Sequence, residues 1–260
     1  KGKMGMGFKG KGIRNALVVF QFAISVTLII CTFFVQKQLK FTTNYNVGYD
    51  RENVLQIHNI YALDSASLQT FQNSLASNPA FSQVGFSDVV PPNVWNEDKY
   101  RAYGPDTEQL TLNRIRANEG YMDLLAPEFL LGRNFDKTRS TDSRKIILNV
   151  TAVKALGWGT PDTYDQDSPI GKHVTYPGST QPLFEVIGVV EDFNFNNLKI
   201  NVTPLMIINE TNDIAWINER ESYVSARIDP QSAKDAAMMK SIIAEAQQEL
   251  DRLSPGIPFE

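Results

Sequence analysis

The longest apolar run in the chain lies near its N-terminus. Residues 15–36 carry no charge and consist mostly of Leu, Val, Ile, Phe and Ala. A helix needs roughly 20 apolar residues to cross the hydrocarbon core of a bilayer, and it satisfies its own backbone hydrogen bonds there. The pattern therefore predicts a transmembrane helix over residues 15–36, embedded in the lipid bilayer.

A cleaved signal peptide is the main alternative for such a run. Its apolar region is typically about 7–15 residues long and ends at a small-residue cleavage site. Here the run is longer, and it ends with the bulky residues Phe33, Phe34 and Val35 before the polar sequence 36–38. We therefore expect an anchor that is retained.

Two polar side chains inside the predicted span are candidates for helix–helix contacts. Gln21 and Ser25 are four positions apart, so they lie on one face of a helix. An amide is costly in lipid, which favours a contact between Gln21 and a neighbouring helix. Ser and Thr also occur on lipid-facing helices, where they bond their own backbone, so this alternative stays open for Ser25.

The pattern after the span predicts a stalk and then a β-α-β unit. Residues 37–48 continue the helical pattern up to Gly48, which predicts the end of the helix. Alternating residues then predict strands, and a helical spacing between them predicts a helix that ends before Pro79. The predicted strands are 53–59 and 81–90, and the predicted helix is 64–79.

Residues 93–220 form a different, strand-rich region. Short alternating runs separated by Gly and Pro turns predict six strands, and two short segments have helical character. The strands are predicted at 99–104, 110–118, 145–149, 171–176, 183–193 and 204–209, and the helical segments at 121–130 and 151–158.

A second β-α-β unit follows. A strand is predicted at 222–230 and a helix at 232–253, whose apolar residues form one stripe. The fold class is therefore α+β: one transmembrane helix, a split subdomain of β-α-β units over 49–92 and 221–260, and an inserted strand-rich subdomain over 93–220. The chain begins without Met and ends at SPGIPFE, where another strand would start, so we expect a C-terminally truncated fragment of a longer protein.

The charge distribution predicts the orientation in the membrane. Residues 1–14 contain five basic residues and no acid, and only two lysines closely follow the span. The positive-inside rule places residues 1–14 in the cytoplasm and the rest outside. Residues 1–40 hold seven of the 25 basic residues and none of the 29 acidic ones, which leaves the remainder a net charge of −11. That balance argues against nucleic acid as a partner.

Motifs that carry chemistry are weak in this sequence. Gly5, Gly7 and Gly10 match a dinucleotide-binding spacing but precede a membrane span instead of following a strand. No phosphate-binding loop motif occurs, and the single cysteine, Cys31, lies in the span. We expect no catalytic residue, cofactor or metal. The weak candidates are the histidines His58 and His173 and the acids Asp136, Glu191 and Asp192.

Several segments resemble MacB/FtsX-like ABC transporter permeases, in the bacterial subgroup without a fused ATPase. The family pattern around its first membrane helix is a basic residue, VxFQFxIS, QLxF/Y, then GYD and xENVL. Matching positions are Arg14, 19–25, 38–41, 48–50 and 52–55. Further similar segments are LGRNF (131–135), ILNVTAVKALGW (147–158), PIGK (169–172) and FEVIGVVEDFNFNNLKINVTPLMI (184–207). The chain departs from the pattern at Val150, where the family often has Glu.

The resemblance implies a permease of the bacterial inner membrane with a porter-like periplasmic core domain and an inserted part. It implies a dimer of permeases served by separate cytoplasmic ABC ATPase subunits, so the permease itself is not an enzyme. ATP-driven motion would pass through the helices to the periplasmic domain, which acts on a substrate or a partner protein there, as in efflux. Further membrane helices are expected beyond residue 260.

A second function class stays open at this level. A single-pass sensor with an extracytoplasmic ligand-binding domain would show the same combination of one span and a mixed α/β domain. A membrane-anchored enzyme is disfavoured because no nucleophile, base or metal ligands cluster in the sequence.

Overall fold

The computed structural model describes residues 7–58, 60, 63–209, 222–256 and 259. The chain forms two compact units, Lys1–Asn46 and Val47–Glu260. Four predictions lie wholly or partly outside the described residues: the start of the basic N-terminal segment (1–6), the last residue of the strand predicted at 53–59, the boundary between the inserted region and the second β-α-β unit (210–221), and most of the strand expected after the last helix (257, 258 and 260).

The first unit is a single long helix. Helix α1 (Gly7–Asn44) has 38 residues and measures about 57 Å at 1.5 Å per residue. The part Gly12–Asn44 is long and apolar enough to cross a membrane, and its side chains are exposed. A soluble core helix would bury most of such a surface, so this helix has the character of a membrane span.

The second unit begins with a three-stranded sheet covered by two helices. Its elements are β1 (Val54–Ile57), α2 (Ser65–Ser77), β2 (Phe81–Ser87), β10 (Tyr223–Ile228) and α5 (Ala236–Leu253). Strand β10 lies between β1 and β2 and runs antiparallel to both. Apolar side chains from all five elements form one core, which includes Ile57, Phe71, Phe86, Val224 and Leu250.

Aspartates start both of these helices. The carboxylate of Asp64 accepts a hydrogen bond from Ser67 N (2.7 Å), and that of Asp235 accepts from Ala237 N and Met238 N (both 2.8 Å). Such caps satisfy backbone N–H groups that have no partner inside the helix. Helix α5 therefore begins at Ala236, four residues later than the predicted start at 232.

Six further strands close into a ring. They are β3 (Glu97–Ala102), β4 (Leu110–Ala117), β6 (Lys145–Asn149), β7 (His173–Thr175), β8 (Phe184–Val190) and β9 (Leu205–Asn209). Their order is β4-β3-β7-β8-β6-β9, and β9 pairs with β4 in parallel to complete the barrel. Within these strands, closure pairs edges that would otherwise be exposed.

Short elements complete the second unit. Helix α3 (Glu119–Leu125) follows β4, β5 (Phe129–Gly132) pairs with β8, and α4 (Val150–Ala155) follows β6. The prediction of one helical segment over 121–130 is therefore wrong in its second half. Pro127 lacks a backbone N–H and disfavours a helical residue before it, so the chain leaves the helix and enters β5.

The sheet and the barrel meet at one place in the strand ladder, Ser87 opposite Ala117. Beyond it, Asp88 extends the contact: its backbone N–H donates to Arg116 O (3.0 Å), and its carboxylate accepts from Arg116 N (2.8 Å). The same carboxylate lies 3.5 Å from the guanidinium of the buried Arg114. A charge buried to this extent is stable only when paired; Arg114 has Asp98 as its closer partner (2.8 Å) and Asp88 as a second one, which links β4 to the end of β2.

Candidate functional site

The segment that leads into the second unit is fixed by many contacts. We call residues 47–52 the entry segment. Val47 is buried, and its carbonyl oxygen accepts a hydrogen bond from Asn194 N (2.7 Å). The backbone N–H of Asp50 donates to Leu125 O at the end of α3 (3.0 Å). Both contacts use backbone atoms, so they are independent of the side chains that the segment carries.

Gly48 allows the closest approach in the entry segment. Its φ is +85°, in the region where side chains are disfavoured, and a Cβ at this position would lie 2.8 Å from Cβ of Phe193. The next residue, Tyr49, places its ring edge against Phe193, with the ring centroids 5.9 Å apart. Burial raises the pKa of Tyr49, and the nearby Arg51 acts in the opposite direction. The tyrosine is therefore neutral at physiological pH.

Arg227 binds the entry segment from the sheet. Its Nη1 lies 3.0 Å from the carboxylate of Asp50 and donates to Glu52 O (2.6 Å). Its Nη2 donates to Leu124 O in α3 (2.5 Å), and its Nε donates to Gln83 in β2 (3.1 Å). A planar guanidinium can hold several acceptors in a fixed geometry. One side chain in β10 thus joins the entry segment, α3 and β2.

The barrel binds the entry segment through residues 192–194. The carboxylate of Asp192 accepts from Thr151 N (3.0 Å) and Thr151 Oγ1 (2.6 Å), in the first turn of α4. Asn149 caps the same helix through Ala152 N, and its side chain also accepts from Leu205 N (2.8 Å). Phe193 and Asn194, which contact the entry segment, are therefore anchored to α4 and β9.

Helix α3 reaches Arg227 because it packs directly on β2. A Cβ on Gly85 in β2 would lie 2.2 Å from the backbone of Tyr121, so only glycine permits this distance. Asn118 caps the helix, and its side chain accepts from both Tyr121 N (3.0 Å) and Phe86 N (2.9 Å). These contacts hold the carbonyl groups at the end of α3 beside the guanidinium.

The two predicted membrane contacts lie on α1. Gln21 and Ser25 are both exposed within their unit, one helical turn apart, and their contact with another helix stays a prediction. Two threonines nearby bond their own backbone: Thr27 Oγ1 donates to Ala23 O and Thr32 Oγ1 donates to Leu28 O (both 2.8 Å). This bonding satisfies their hydroxyl donors in an apolar surrounding.

Each of the weak chemical candidates has ordinary structural contacts, and Glu191 is exposed and accepts a hydrogen bond from Asp192 N (3.2 Å). His58 packs edge-on against Tyr223, while His173 lies 3.9 Å from Glu185 in the barrel. Asp136 binds Arg139 and Thr138, and Asp192 binds Thr151 as described above. Among the residues that the structure describes, no group of three or more His, Cys, Asp or Glu side chains is arranged to hold a metal.

Arg227 was missed by sequence reasoning. One signal was available, because Arg227 is the only charged residue in the strand segment Tyr223–Ile228. A lone charge in an otherwise buried strand indicates a specific partner. Two of its acceptors are backbone carbonyls from distant segments, which no side-chain pattern reveals.

The comparisons identify the family. Residues 16–243 match the sequence profile of the MacB-like periplasmic core domain. The chain belongs to this family. Fifteen chains of solved structures have a similar fold, and they include the following two. The periplasmic region of MacB from Actinobacillus actinomycetemcomitans has a TM-score of 0.53 and 17% identity, with 82% of this chain and 88% of that chain covered.

The second is the extracellular domain of the noncanonic ABC-type transporter YknZ from Gram-positive bacteria, with a TM-score of 0.50 and 19% identity. The matched region covers 79% of this chain and 98% of the YknZ chain. No curated protein sequence matches the chain.

The match confirms the resemblance read from the sequence. The chain contains the MacB-like periplasmic domain of an ABC transporter permease together with an N-terminal apolar helix. Two of the segments that carried the resemblance, GYD (48–50) and VEDFN (190–194), contact each other through Gly48, Tyr49 and Phe193. In this member of the MacB-like family, the entry segment is therefore where separated motifs meet.

Proposed function

We propose that this MacB-like permease domain relays ATP-driven motion from the membrane helix to the periplasm and thereby exports or releases a substrate. The supporting observation is the entry segment, which is bound to the sheet through Arg227 and to the barrel through Asn194 and Phe193. A segment held on both sides transmits displacement to both parts instead of absorbing it in a loose linker.

ATP hydrolysis, in this proposal, takes place on a separate ABC ATPase subunit in the cytoplasm. The sequence contains no phosphate-binding loop motif, and the family is one of ABC transporter permeases. The working assembly holds two permease copies. The permease itself performs no covalent chemistry. The family match favours this function over the single-pass sensor.

We further propose that the protein lies in the bacterial inner membrane, with residues 1–14 in the cytoplasm and the second unit in the periplasm. The five basic residues before the span support this orientation. An impermeant maleimide applied to spheroplasts tests it, with Cys31 replaced by Ser. The variant Lys199→Cys reacts if the proposal holds, and a cysteine placed at Lys9 is protected until the membrane is opened. The reverse labelling pattern would reject this topology.

The division of the periplasmic domain into two subdomains belongs to the same proposal. Residues 49–92 and 221–260 form the porter-like β-α-β part, and residues 93–220 form the inserted part. The three-stranded sheet and the inside of the barrel have separate apolar cores, and one ladder position joins their strands, which supports this division. A third core combines barrel residues with helix α3, and Tyr223 of β10 packs against it.

The central experiment measures motion. The permease is reconstituted with the ABC ATPase subunit that copurifies with it, with spin labels at exposed positions such as Lys199 in both copies. We expect the distance between the two labels to differ between the nucleotide-free and the vanadate-trapped states. An identical distance distribution in both states would contradict the relay.

The variant Arg227→Ala separates the relay from hydrolysis. It removes the bonds to Asp50, Glu52 and Leu124 while leaving α1 unchanged. ATP hydrolysis should continue, and the nucleotide-dependent change in distance should shrink. The control is Arg252→Ala, which removes an exposed pair with Glu249 in α5 and should leave the change in distance intact.

A further inference from the structure

One exposed loop is basic although the domain around it is acidic. The basic loop (residues 133–145) joins β5 to β6. It contains five basic and two acidic residues: Arg133, Lys137, Arg139, Arg144 and Lys145, with Asp136 and Asp142. The other residues from 47 to 260 hold 13 basic and 27 acidic side chains. The loop therefore reverses the sign of the charge locally.

A buried carboxylate fixes the conformation of the loop. Asp142 accepts two hydrogen bonds from Arg133, at 2.6 and 2.8 Å, and one from Asp136 N at 3.0 Å. Its backbone oxygen accepts from Asn209 at the end of β9 (3.2 Å). Hydrogen bonding by Arg133 lowers the pKa of Asp142, so this carboxylate stays charged and the loop stays ordered.

The second acid is also used within the loop. Asp136 accepts from Thr138 N (2.9 Å) and Thr138 Oγ1 (2.6 Å), and it lies 3.2 Å from Nε of Arg139. Lys145 binds Glu185 in β8. Among the described residues, Lys137 and Arg144 form no ion pair, and both are exposed. The loop thus presents positive charge that its own acids do not neutralise.

The backbone of Arg144 is unusual for a residue of this type. Its φ is +66°, in the left-handed region that glycine adopts without strain. Its carbonyl oxygen accepts from Glu185 N (3.3 Å), so the conformation belongs to the connection between β6 and β8. Strained positions are enriched at functional sites. Glycine at this position would make the folded domain more stable than arginine does.

The loop lies at one end of the barrel. Lys145 and Glu185 are partners at the start of the parallel strands β6 and β8. The entry segment binds Phe193 and Asn194, which follow the other end of β8. A strand of seven residues measures about 20 Å. The basic loop and the entry segment therefore lie at opposite ends of β8, and a partner on one leaves the other accessible.

We propose that the basic loop binds a carboxylate-rich segment of a partner protein. Guanidinium groups recognise carboxylates through paired hydrogen bonds, and a loop whose backbone is already ordered loses little entropy on binding. A large anionic surface such as a bilayer or nucleic acid would also face the acidic remainder of the domain. Screening acts over about 8 Å at physiological ionic strength, so a short acidic segment contacts the loop without that repulsion.

The experiment measures binding of a fluorescent 12-residue poly-glutamate peptide to the full chain in phosphatidylcholine nanodiscs. Arg144→Gly removes one charge at a backbone position that suits glycine, so folding is retained. We expect the dissociation constant to rise about 2- to 5-fold, as for the loss of one exposed ion pair. Adding Lys137→Ala and Arg139→Ala should raise it about 10-fold or more.

Lys199→Ala is the matched control, because Lys199 is exposed in the segment after Phe195 and carries the same charge. Equal weakening by Lys199→Ala and Arg144→Gly, or no weakening by Arg144→Gly, would overturn the proposal.

A second arm uses phosphatidylglycerol vesicles. Binding of vesicles that depends on Arg144, without binding of the peptide, would assign the loop to lipid instead. The proposal goes beyond the relay, and neither arm requires ATP, so its failure is distinct from failure of the relay.

Discussion

Arg227 Nη2 lies 2.5 Å from the carbonyl oxygen of Leu124, so β10 binds the C-terminal end of α3 directly. The two residues are 103 positions apart in the sequence. The same guanidinium binds Asp50 and Glu52, where the chain enters the domain. A single side chain therefore contacts three segments that are far apart in the sequence.

Replacement of Arg227 should destabilise the domain. Arg227→Ala removes an ion pair and leaves two backbone carbonyls without their donor, so we expect a loss of about 2 kcal/mol in the free energy of unfolding. Arg227→Lys keeps the charge but not the planar guanidinium. Its free energy of unfolding should lie between those of the wild type and Arg227→Ala. Urea unfolding in detergent, followed by tryptophan fluorescence, measures both. A loss within 0.5 kcal/mol, which is about the size of an ordinary surface substitution, would show that the contacts contribute little.

Gly48 should not tolerate a side chain. Gly48→Ala adds a Cβ 2.8 Å from Cβ of Phe193 at a residue with φ of +85°. We expect a loss of about 2–3 kcal/mol, because overpacking adds to the backbone strain. Gly171→Ala is the control: its φ is +83°, but no atom lies within 4 Å of the added Cβ. It should lose only about 1 kcal/mol. Equal losses at the two positions would mean that Phe193 moves away freely.

Replacing Ala126 with glycine should stabilise the end of α3. Ala126 is the C-cap and adopts φ of 46° and ψ of 49°, a left-handed conformation. Ala126→Gly relieves this strain and should raise the free energy of unfolding by about 0.5–1 kcal/mol. Ala244→Gly, at an exposed position inside α5, should lower it by about 1 kcal/mol. The prediction fails if both changes have the same sign in thermal unfolding.

Acid should weaken the basic loop through Asp142. The hydrogen bonds from Arg133 lower the pKa of this carboxyl in the folded state, whereas in the unfolded chain it titrates near pH 4. Its contribution is therefore complete above about pH 5, and it is lost as the pH falls through the folded-state pKa. Asp142→Asn should lower the free energy of unfolding by about 2 kcal/mol at pH 7. Between pH 5 and pH 3, the free energy of unfolding of this variant should change less than that of the wild type. Parallel pH profiles for the two proteins would contradict this assignment.

Local patterns predicted the helices and most strands of this fold. The spacing of Leu68, Phe71 and Leu75 defines the buried face of α2, and these three side chains are buried in the structure. Strand β6 has the bounds that alternation predicts, 145–149. Such features depend on residues close together in the sequence.

Long-range features could not be predicted in the same way. The parallel pairing of β4 with β9 joins Asn113 to Leu205, and no local pattern specifies that register. Strand β5 was missed because its four residues continue the apolar spacing of α3, and only Pro127 indicates the change. The lone charge of Arg227 in β10 indicates that it has a partner, but no local pattern identifies the main-chain oxygens of Glu52 and Leu124 as its acceptors.

Strands β2 and β10 are direct neighbours, and Ser87 lies opposite Tyr223. Residues 88–222 therefore leave and rejoin the sheet at adjacent positions. Recombination between related genes can exchange this whole stretch for another without altering the register of the three-stranded sheet. Any exchanged stretch has to supply a carbonyl group where Leu124 now stands, so the sheet can acquire new inserted modules while Arg227 restricts which ones are compatible.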